Sequence, residues 1–198
     1  MTSWMIVLLG ASALGRPPEP AEIIGGVPTE PDEFTSVVAL LHDTGGLCTG
    51  TLVAPGVVLT AAHCLDGRST HSLSVGAGPR VLPGDGVPVS SYGIHPEYCR
   101  ECEPTDDDIF DYGYVLIPTD ALDTGSFVEL LADQDDWDAA IGRDEEITVV
   151  GYGRDESGRM HTKRRVQTSI RSQTATGQEF YAGGDFRDSC RGDSGGPA

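Results

Sequence analysis

The stretch GTLVAPGVVLTAAHC, residues 50–64, decides the fold of this 198-residue chain. Gly50–Val53 and Val57–Thr60 are rich in Val and Thr, residue types that favour β-strands. Ala54-Pro55-Gly56 lies between them and has the composition of a tight turn. The stretch therefore predicts two strands joined by a turn, and the second strand leads directly to a histidine.

The same pattern recurs along the rest of the chain. Further runs rich in Val, Ile, Thr and aromatic residues are Phe34–Leu41, Leu73–Ala77, Tyr114–Ile117, Ile147–Tyr152 and Arg165–Ile170. Gly, Pro, Asp and Ser separate these runs. Helical periodicity is scarce, and only Asp136–Ile141 predicts a turn or two of helix. The sequence predicts an all-β fold, either a sandwich or a barrel, and periodicity does not choose between them.

Charge narrows the possible partners. The formal net charge is −18, with 31 acidic and 13 basic residues. Phosphate binding requires Lys and Arg, so this balance argues against nucleic acid as a partner. The acidic runs at 106–108 and 133–136 lack the spacing of an EF-hand. We interpret them as solvated loops, with Ca²⁺ binding as the alternative, and predict no cofactor and no metal.

The N-terminus contains an apolar run, Trp4–Leu14, that is too short to span a bilayer. Small residues at Ala13 and Gly15 match the positions that a signal peptidase inspects. Residues 1–15 therefore predict a signal peptide, with a frayed N-terminal helix as the alternative. The proline-rich residues 16–22 predict a pro-segment. We expect a secreted protein, extracellular or periplasmic, with no membrane attachment after processing, and a monomer.

Gly192-Asp193-Ser194-Gly195-Gly196-Pro197 carries the clearest chemistry. Hydrolysis by a serine nucleophile needs a hydroxyl, an imidazole to accept its proton and a carboxylate to orient that imidazole. It also needs backbone N–H groups aimed at the oxyanion that develops. Glycines on both sides of Ser194 allow a tight turn and a close approach to a substrate carbonyl.

This string resembles the nucleophile loop of the chymotrypsin–trypsin family, and Thr60-Ala61-Ala62-His63-Cys64 resembles the same family's histidine motif. The resemblance implies a trypsin-like serine protease domain over 23–198, with an all-β, chymotrypsin-like double β-barrel. It makes Ser194 the nucleophile, His63 the general base, and the amides of Gly192 and Ser194 the oxyanion hole. Thr49 departs from the family, which usually has a glycine at this position.

The four other histidines lack such a context and are predicted to be surface residues: His42, His71, His95 and His161.

The carboxylate that orients His63 has two candidates, Asp108 and Asp111. Asp111 is favoured because an apolar strand follows it directly, and the order His, Asp, Ser along the chain also fits the family.

The resemblance assigns two further acidic residues. Asp188, six positions before Ser194, takes the place that floors the primary specificity pocket. A carboxylate there favours substrates with Arg or Lys at the cleaved bond; pairing with a nearby arginine on a surface loop is the alternative. Ile23 resembles a mature N-terminus whose ammonium pairs with Asp193 after cleavage behind Glu22. Family zymogens are usually cut after a basic residue, so Glu22 is a departure.

Five cysteines provide a further check. The resemblance pairs Cys48 with Cys64 beside the histidine, and it pairs Cys190 with a cysteine beyond residue 198. Cys99 and Cys102 either close a small local loop or belong to a metal site, for which two more ligands are not evident.

Gly151-Tyr152-Gly153 is similar to the family's Gly-Trp-Gly turn and indicates where the second barrel begins. The family continues past the serine, so the expected second barrel is incomplete at its C-terminus. The sequence predicts a secreted serine endopeptidase that cleaves proteins or peptides after Arg or Lys through an acyl-enzyme. The alternative is a catalytically inactive, truncated homologue that acts, if at all, by binding.

Overall fold

The computed structural model describes residues 25–102, 107–122, 124–130, 133–142, 144–155, 157–173, 180–184 and 187–198. The predicted signal peptide and pro-segment lie outside these residues, as does Ile23. Within the described part, no helix is both long and apolar enough to cross a membrane.

The described elements are mostly strands. In chain order they are β1 (Val27–Pro28), β2 (Val37–His42), β3 (Leu47–Ala54), β4 (Val57–Thr60), β5 (Leu73–Gly76), β6 (Val87–Pro88), β7 (Ser91–Ile94), β8 (Cys99–Cys102), β9 (Asp107–Ile109), β10 (Gly113–Leu116), β11 (Glu146–Gly151), β12 (Arg164–Gln173) and β13 (Phe180–Ala182). The one α-helix among them, α1, spans Gln134–Ala140, and 3₁₀ turns cover Ala62–Cys64 and Thr70–Ser72.

The first sheet closes into a barrel. Its antiparallel strands follow the order β6-β5-β2-β3-β4-β10-β7. The two outer strands, β6 and β7, are separated in the chain only by Val89 and Ser90. The N–H of Val89 donates to Leu73 O over 3.2 Å, and that of Ser90 donates to Leu116 O over 2.8 Å. Val89 and Ser90 thus bond to strands near the two ends of the sheet, β5 and β10, so the sheet has no open edge at this point.

β2 is buried along its whole length. Val38 and Leu40 point into the barrel, where they pack with residues such as Leu52, Val58 and Val115. The alternate residues of β2 point outward and form a second apolar cluster with Val81, Val150 and Tyr152. Because both faces of β2 are covered, its sequence is a continuous apolar run instead of an alternating one.

The second sheet lies across that outward face. β12 is its central strand and pairs with β1, β11 and β13, all antiparallel. Val150 and Tyr152, from β11 and the turn after it, contribute the contacts to β2. Residues 194–197 lie at this junction. Ser194 O accepts from the Thr49 N–H of β3 over 2.9 Å, and Pro197 O accepts from the Val150 N–H of β11 over 3.2 Å.

The all-β prediction is confirmed, and the structure selects the barrel. The predicted helix also exists; it begins two residues earlier than expected because the Asp133 side chain accepts a hydrogen bond from the Asp135 N–H and caps the helix. The prediction that His42 lies on the surface was wrong. His42 ends β2 and is only 8% exposed, since β2 extends one residue beyond its apolar run.

Candidate active site

Strand pairing brings His63 and Asp111 together. His63 lies in the 3₁₀ turn that follows β4, between the buried residues Ala62 and Cys64. Asp111 lies just before β10, which pairs with β4 so that Gly113 is opposite Thr60. This register places the chain before β10 beside the chain after β4, because antiparallel strands run in opposite directions.

Both oxygens of Asp111 accept hydrogen bonds from His63. The backbone N–H of His63 donates to Oδ1 over 2.8 Å, and the ring Nδ1 donates to Oδ2 over 2.6 Å. The side chains are 29% and 19% exposed for His63 and Asp111. An ionised carboxylate only accepts hydrogen bonds, so this contact keeps the imidazole proton on Nδ1 and leaves Nε2 as an acceptor.

The nucleophile loop, residues 191–196, is anchored through its carbonyl groups. Four consecutive carbonyls, from Arg191 to Ser194, each accept a hydrogen bond. Their donors are, in order, Arg154 N (3.2 Å), Thr49 Oγ1 (2.8 Å), Gly196 N (2.9 Å) and Thr49 N (2.9 Å). The N–H groups of Gly192 and Ser194 are among those in the loop that donate no hydrogen bond to any residue that the structure describes. Ser194 is partly exposed, whereas Gly192 is buried.

Asp193 points into the interior of the protein. Its Oδ1 accepts from the Gly153 N–H over 2.8 Å and its Oδ2 from the Cys190 N–H over 2.9 Å. The residue is 4% exposed. Burial raises the pKa of Asp193 to about 6, although the two N–H groups and the charge of Arg164 act in the opposite direction.

Gly153 and Gly195 are required by close contacts around this loop. A Cβ on Gly153 would lie 2.5 Å from Asp193 Oδ2. Gly195 has φ of +81°, and a Cβ there would lie 2.5 Å from Ala61 N. Glycine is the residue that tolerates both the left-handed conformation and this approach, so the loop can pack directly against the segment that carries His63.

His63, Asp111 and Ser194 line one cavity of about 680 Å³. Gly195, Gly196 and Tyr112 also line it. The structure has no hydrogen bond between Ser194 Oγ and His63 Nε2. Contacts of this type are often long without substrate, so the arrangement is compatible with proton transfer between the two groups once a substrate is bound.

Asp188 lies apart from this cavity. Its side chain is half-buried, and its carboxylate packs against Gly183, just after β13. It is not among the residues that line the cavity of His63 and Ser194. Asp108, the other candidate for the carboxylate, lies in β9, whereas the contact to His63 is made by Asp111.

Four of the five cysteines form two disulfides, Cys48–Cys64 and Cys99–Cys102. The first joins β3 to the turn of His63, and the second lies within the strand β8. Among the described residues, the one cluster with metal-ligand spacing is Cys48, His63 and Cys64. Its two sulfurs are joined to each other, so this cluster does not offer thiolate ligands.

Comparisons with known proteins agree with this geometry. The sequence profile of the trypsin family matches residues 23–198. The chain is 26% identical over 219 residues to chymotrypsin-like elastase family member 1 of Homo sapiens, covering 98% of this chain and 81% of that protein. It is 29% identical over 192 residues to trypsin delta of Drosophila erecta, covering 88% and 72%. It is 27% identical over 195 residues to the trypsin of Saccharopolyspora erythraea, covering 88% and 80%.

The structure combines a β-barrel with a cavity lined by a hydrogen-bonded His–Asp pair and by a serine in a glycine-rich loop. These are the features of a serine-type peptidase. The chain belongs to the trypsin family of chymotrypsin-like serine proteases. Its substrates are therefore of the protein or peptide class.

Sequence reasoning missed the role of one buried residue beside this site. Thr49 stood out only because the family usually has a glycine there, yet its backbone and side chain both bond to the nucleophile loop. The threonine at a position where the family usually has glycine marked Thr49 as unusual. Its role became evident only from the contact with Gly192 O, 143 positions away in the chain.

Proposed function

We propose that the protein is a secreted serine endopeptidase that cleaves peptide bonds after Arg or Lys. The observation that carries this proposal is the bond between His63 Nδ1 and Asp111 Oδ2, in the same cavity as Ser194. It leaves Nε2 of His63 as the acceptor for a proton from Ser194 Oγ.

In the proposed mechanism, Ser194 Oγ attacks the carbonyl carbon of the substrate while His63 Nε2 accepts the hydroxyl proton. The tetrahedral intermediate collapses, the C–N bond breaks, and His63 returns the proton to the departing amine. Water then attacks the acyl-enzyme, again with His63 as the base, and releases Ser194. Asp111 orients the imidazole and stabilises its positive charge.

The amides of Gly192 and Ser194 serve as the oxyanion hole in this proposal. Neither N–H donates a hydrogen bond to a described residue, so neither has to give one up before it binds the oxyanion. Donors that are already oriented stabilise developing charge without the cost of reorganisation.

The proposed preference for Arg or Lys rests on the sequence position of Asp188, six residues before Ser194, because its carboxylate lies outside the cavity of His63 and Ser194. A half-buried carboxylate rewards a cationic side chain and leaves an apolar one opposite an unpaired charge. Two disulfides in the chain support export to an oxidising compartment. We also propose that cleavage after Glu22 frees Ile23, whose ammonium pairs with Asp193; a positive charge there would offset the cost of the buried carboxylate.

Hydrolysis of lysine, arginine and leucine thioesters by the purified chain that begins at Ile23 tests the proposal. We expect turnover of the two basic substrates and none by Ser194→Ala. Asp188→Ser should lower the preference for lysine over leucine by on the order of 10⁴. Turnover that persists in Ser194→Ala would contradict the assignment of the nucleophile, and an unchanged preference in Asp188→Ser would contradict the assignment of the specificity residue.

A further inference from the structure

Thr49 connects three parts of the molecule. It lies in β3 and is fully buried. Its hydroxyl donates to Gly192 O over 2.8 Å and accepts from the N–H of Tyr152, in the second sheet's turn, over 3.1 Å. Its own backbone N–H donates to Ser194 O over 2.9 Å. One residue of the barrel thus holds the nucleophile loop at two points and the second sheet at a third.

The bond to Gly192 O restrains a peptide plane that is otherwise held by one hydrogen bond, from its N–H. Gly192 has φ of +101°, a region open to glycine, and the absence of a side chain leaves its backbone little restrained locally. Gly192 O and Asp193 N–H belong to the same planar peptide unit. Thr49 Oγ1 bonds to the oxygen of this unit, and Cys190 O bonds to its N–H over 2.8 Å. These two bonds, at opposite edges of the peptide unit, fix its orientation.

That orientation affects where the N–H groups of Gly192 and Ser194 point. The plane lies between the N–H of Gly192 and the N–H of Ser194 along the chain. Equal and opposite changes in ψ of Gly192 and φ of Asp193 leave the neighbouring peptide units in place, whereas any other change in these two angles alters the angle between the two N–H directions. Two donors stabilise one oxyanion only when both aim at the same position.

We propose that Thr49 is a positioning residue, whose hydroxyl holds the Gly192–Asp193 peptide so that both N–H groups face one oxyanion. This inference rests on the proposed proteolytic function. The family's usual glycine at this position offers no hydroxyl, so this restraint is a property of this chain's own sequence. The hydroxyl's acceptor site is filled by Tyr152 N–H, which directs its proton toward Gly192 O.

Thr49→Val tests the proposal, because valine keeps the shape of threonine and removes the hydroxyl. Tyr152→Phe is the matched control: it removes a buried hydroxyl that donates to Gly78 O over 2.6 Å, but leaves the Tyr152 N–H and the loop untouched. Thr49→Ser restores the hydroxyl. Steady-state rates with a lysine thioester, the rate of phosphonylation by a fluorophosphonate, and thermal melting are measured for each variant.

We expect Thr49→Val to lower kcat and the phosphonylation rate roughly 10- to 100-fold with KM nearly unchanged, because an oxyanion contact acts in the transition state. Thr49→Ser should recover to within about threefold of the original rate. Tyr152→Phe should melt at a lower temperature and keep its kcat. If Thr49→Val fails to fold, Thr49→Ala is used for the same comparison.

Two results separate the possible failures. If the original chain shows Ser194-dependent turnover and folded Thr49→Val keeps the same kcat, the positioning role is wrong and the proposed function stands. If the original chain shows no Ser194-dependent reaction, the proposed function fails. Amide hydrogen exchange over residues 190–196 then tests whether Thr49 restrains the loop. Exchange that is about tenfold faster in Thr49→Val than in Tyr152→Phe supports the restraint; equal exchange overturns it.

Discussion

Replacing Asp111 by Asn is expected to lower kcat about 10⁴-fold while the fold stays intact. Asp111 uses both oxygens, Oδ1 for the His63 backbone N–H and Oδ2 for the ring Nδ1. Asparagine has one oxygen and one NH₂ group. The backbone N–H is always a donor, so the amide oxygen must remain opposite it and the NH₂ group must face Nδ1.

The imidazole then has to accept at Nδ1 and carry its proton on Nε2. In that tautomer, Nε2 has no lone pair for the proton of Ser194, and the general base is lost. A 10⁴-fold loss corresponds to about 5.5 kcal/mol of activation free energy. The simple loss of a hydrogen bond to a charged group would cost only about 1.5–3 kcal/mol, or roughly 10- to 150-fold.

The size of the effect therefore distinguishes a wrong tautomer from a lost contact. Initial rates with a lysine thioester and the rate of fluorophosphonate labelling measure it, and thermal melting checks the fold. Asp120→Asn, at an exposed aspartate, is the matched control and should leave both rates unchanged. A loss below about 100-fold in folded Asp111→Asn would refute the tautomer argument.

Three further outcomes are expected. Changing both Cys48 and Cys64 to Ser should lower the free energy of unfolding by about 3 kcal/mol in urea titrations, since the bridge closes a loop with a sequence separation of 16; an unchanged free energy would contradict this. Burial lowers the pKa of Lys163 to about 8 from 10.5, so the unfolded chain binds the proton more readily between these values. The stability of the chain should therefore gain a contribution as pH rises from about 8 to 10.5, and Lys163→Met should lack it; equal pH profiles would oppose this reasoning. A chain that begins at Ile23 should be active and one that retains Glu22 much less so, as N-terminal sequencing alongside activity assays can establish; full activity with Glu22 in place would reject the proposed activation.

Local sequence patterns predicted the strands that are buried, and missed those that are not. β4 matches its predicted range of Val57–Thr60, and β2, β5, β10 and β11 differ from theirs by a few residues at the ends. In each case Val, Ile or Leu residues mark the strand, because burial selects them. The strand β8 is the polar sequence Cys-Arg-Glu-Cys and is mostly exposed, so no apolar pattern identified it.

Hydrophobic periodicity in the sequence does not predict the closure of the barrel. Closure depends on Val89 and Ser90, which bond to strands on opposite sides of the sheet. It also depends on the pairing of β4 with β10, two segments more than fifty residues apart that give no local sign of each other. The barrel became the expected fold only through the resemblance of the motifs at His63 and Ser194.

The pair of His63 with Asp111 agrees with the expectation from the strand that follows Asp111, since the register of that strand sets the position of the carboxylate. The contacts of Thr49, in contrast, were not predictable from the sequence. A single buried threonine in a strand has an ordinary packing role, and only the three-dimensional contact with Gly192 O reveals a second one. Likewise, nothing in the local sequence around Lys163 predicts a buried ammonium that donates to Phe34 O over 2.7 Å.

Covalent labelling tests the central claim most directly, because it requires an activated serine and no particular substrate side chain. The chain that begins at Ile23 is incubated with a fluorophosphonate, so that Ser194 Oγ displaces fluoride from phosphorus, and the modified peptide is mapped by mass spectrometry. The account predicts one adduct, on Ser194, which forms much more slowly in His63→Ala and not at all in the unfolded chain. The absence of an adduct on Ser194 in the folded chain, or labelling at the same rate in His63→Ala, would contradict it.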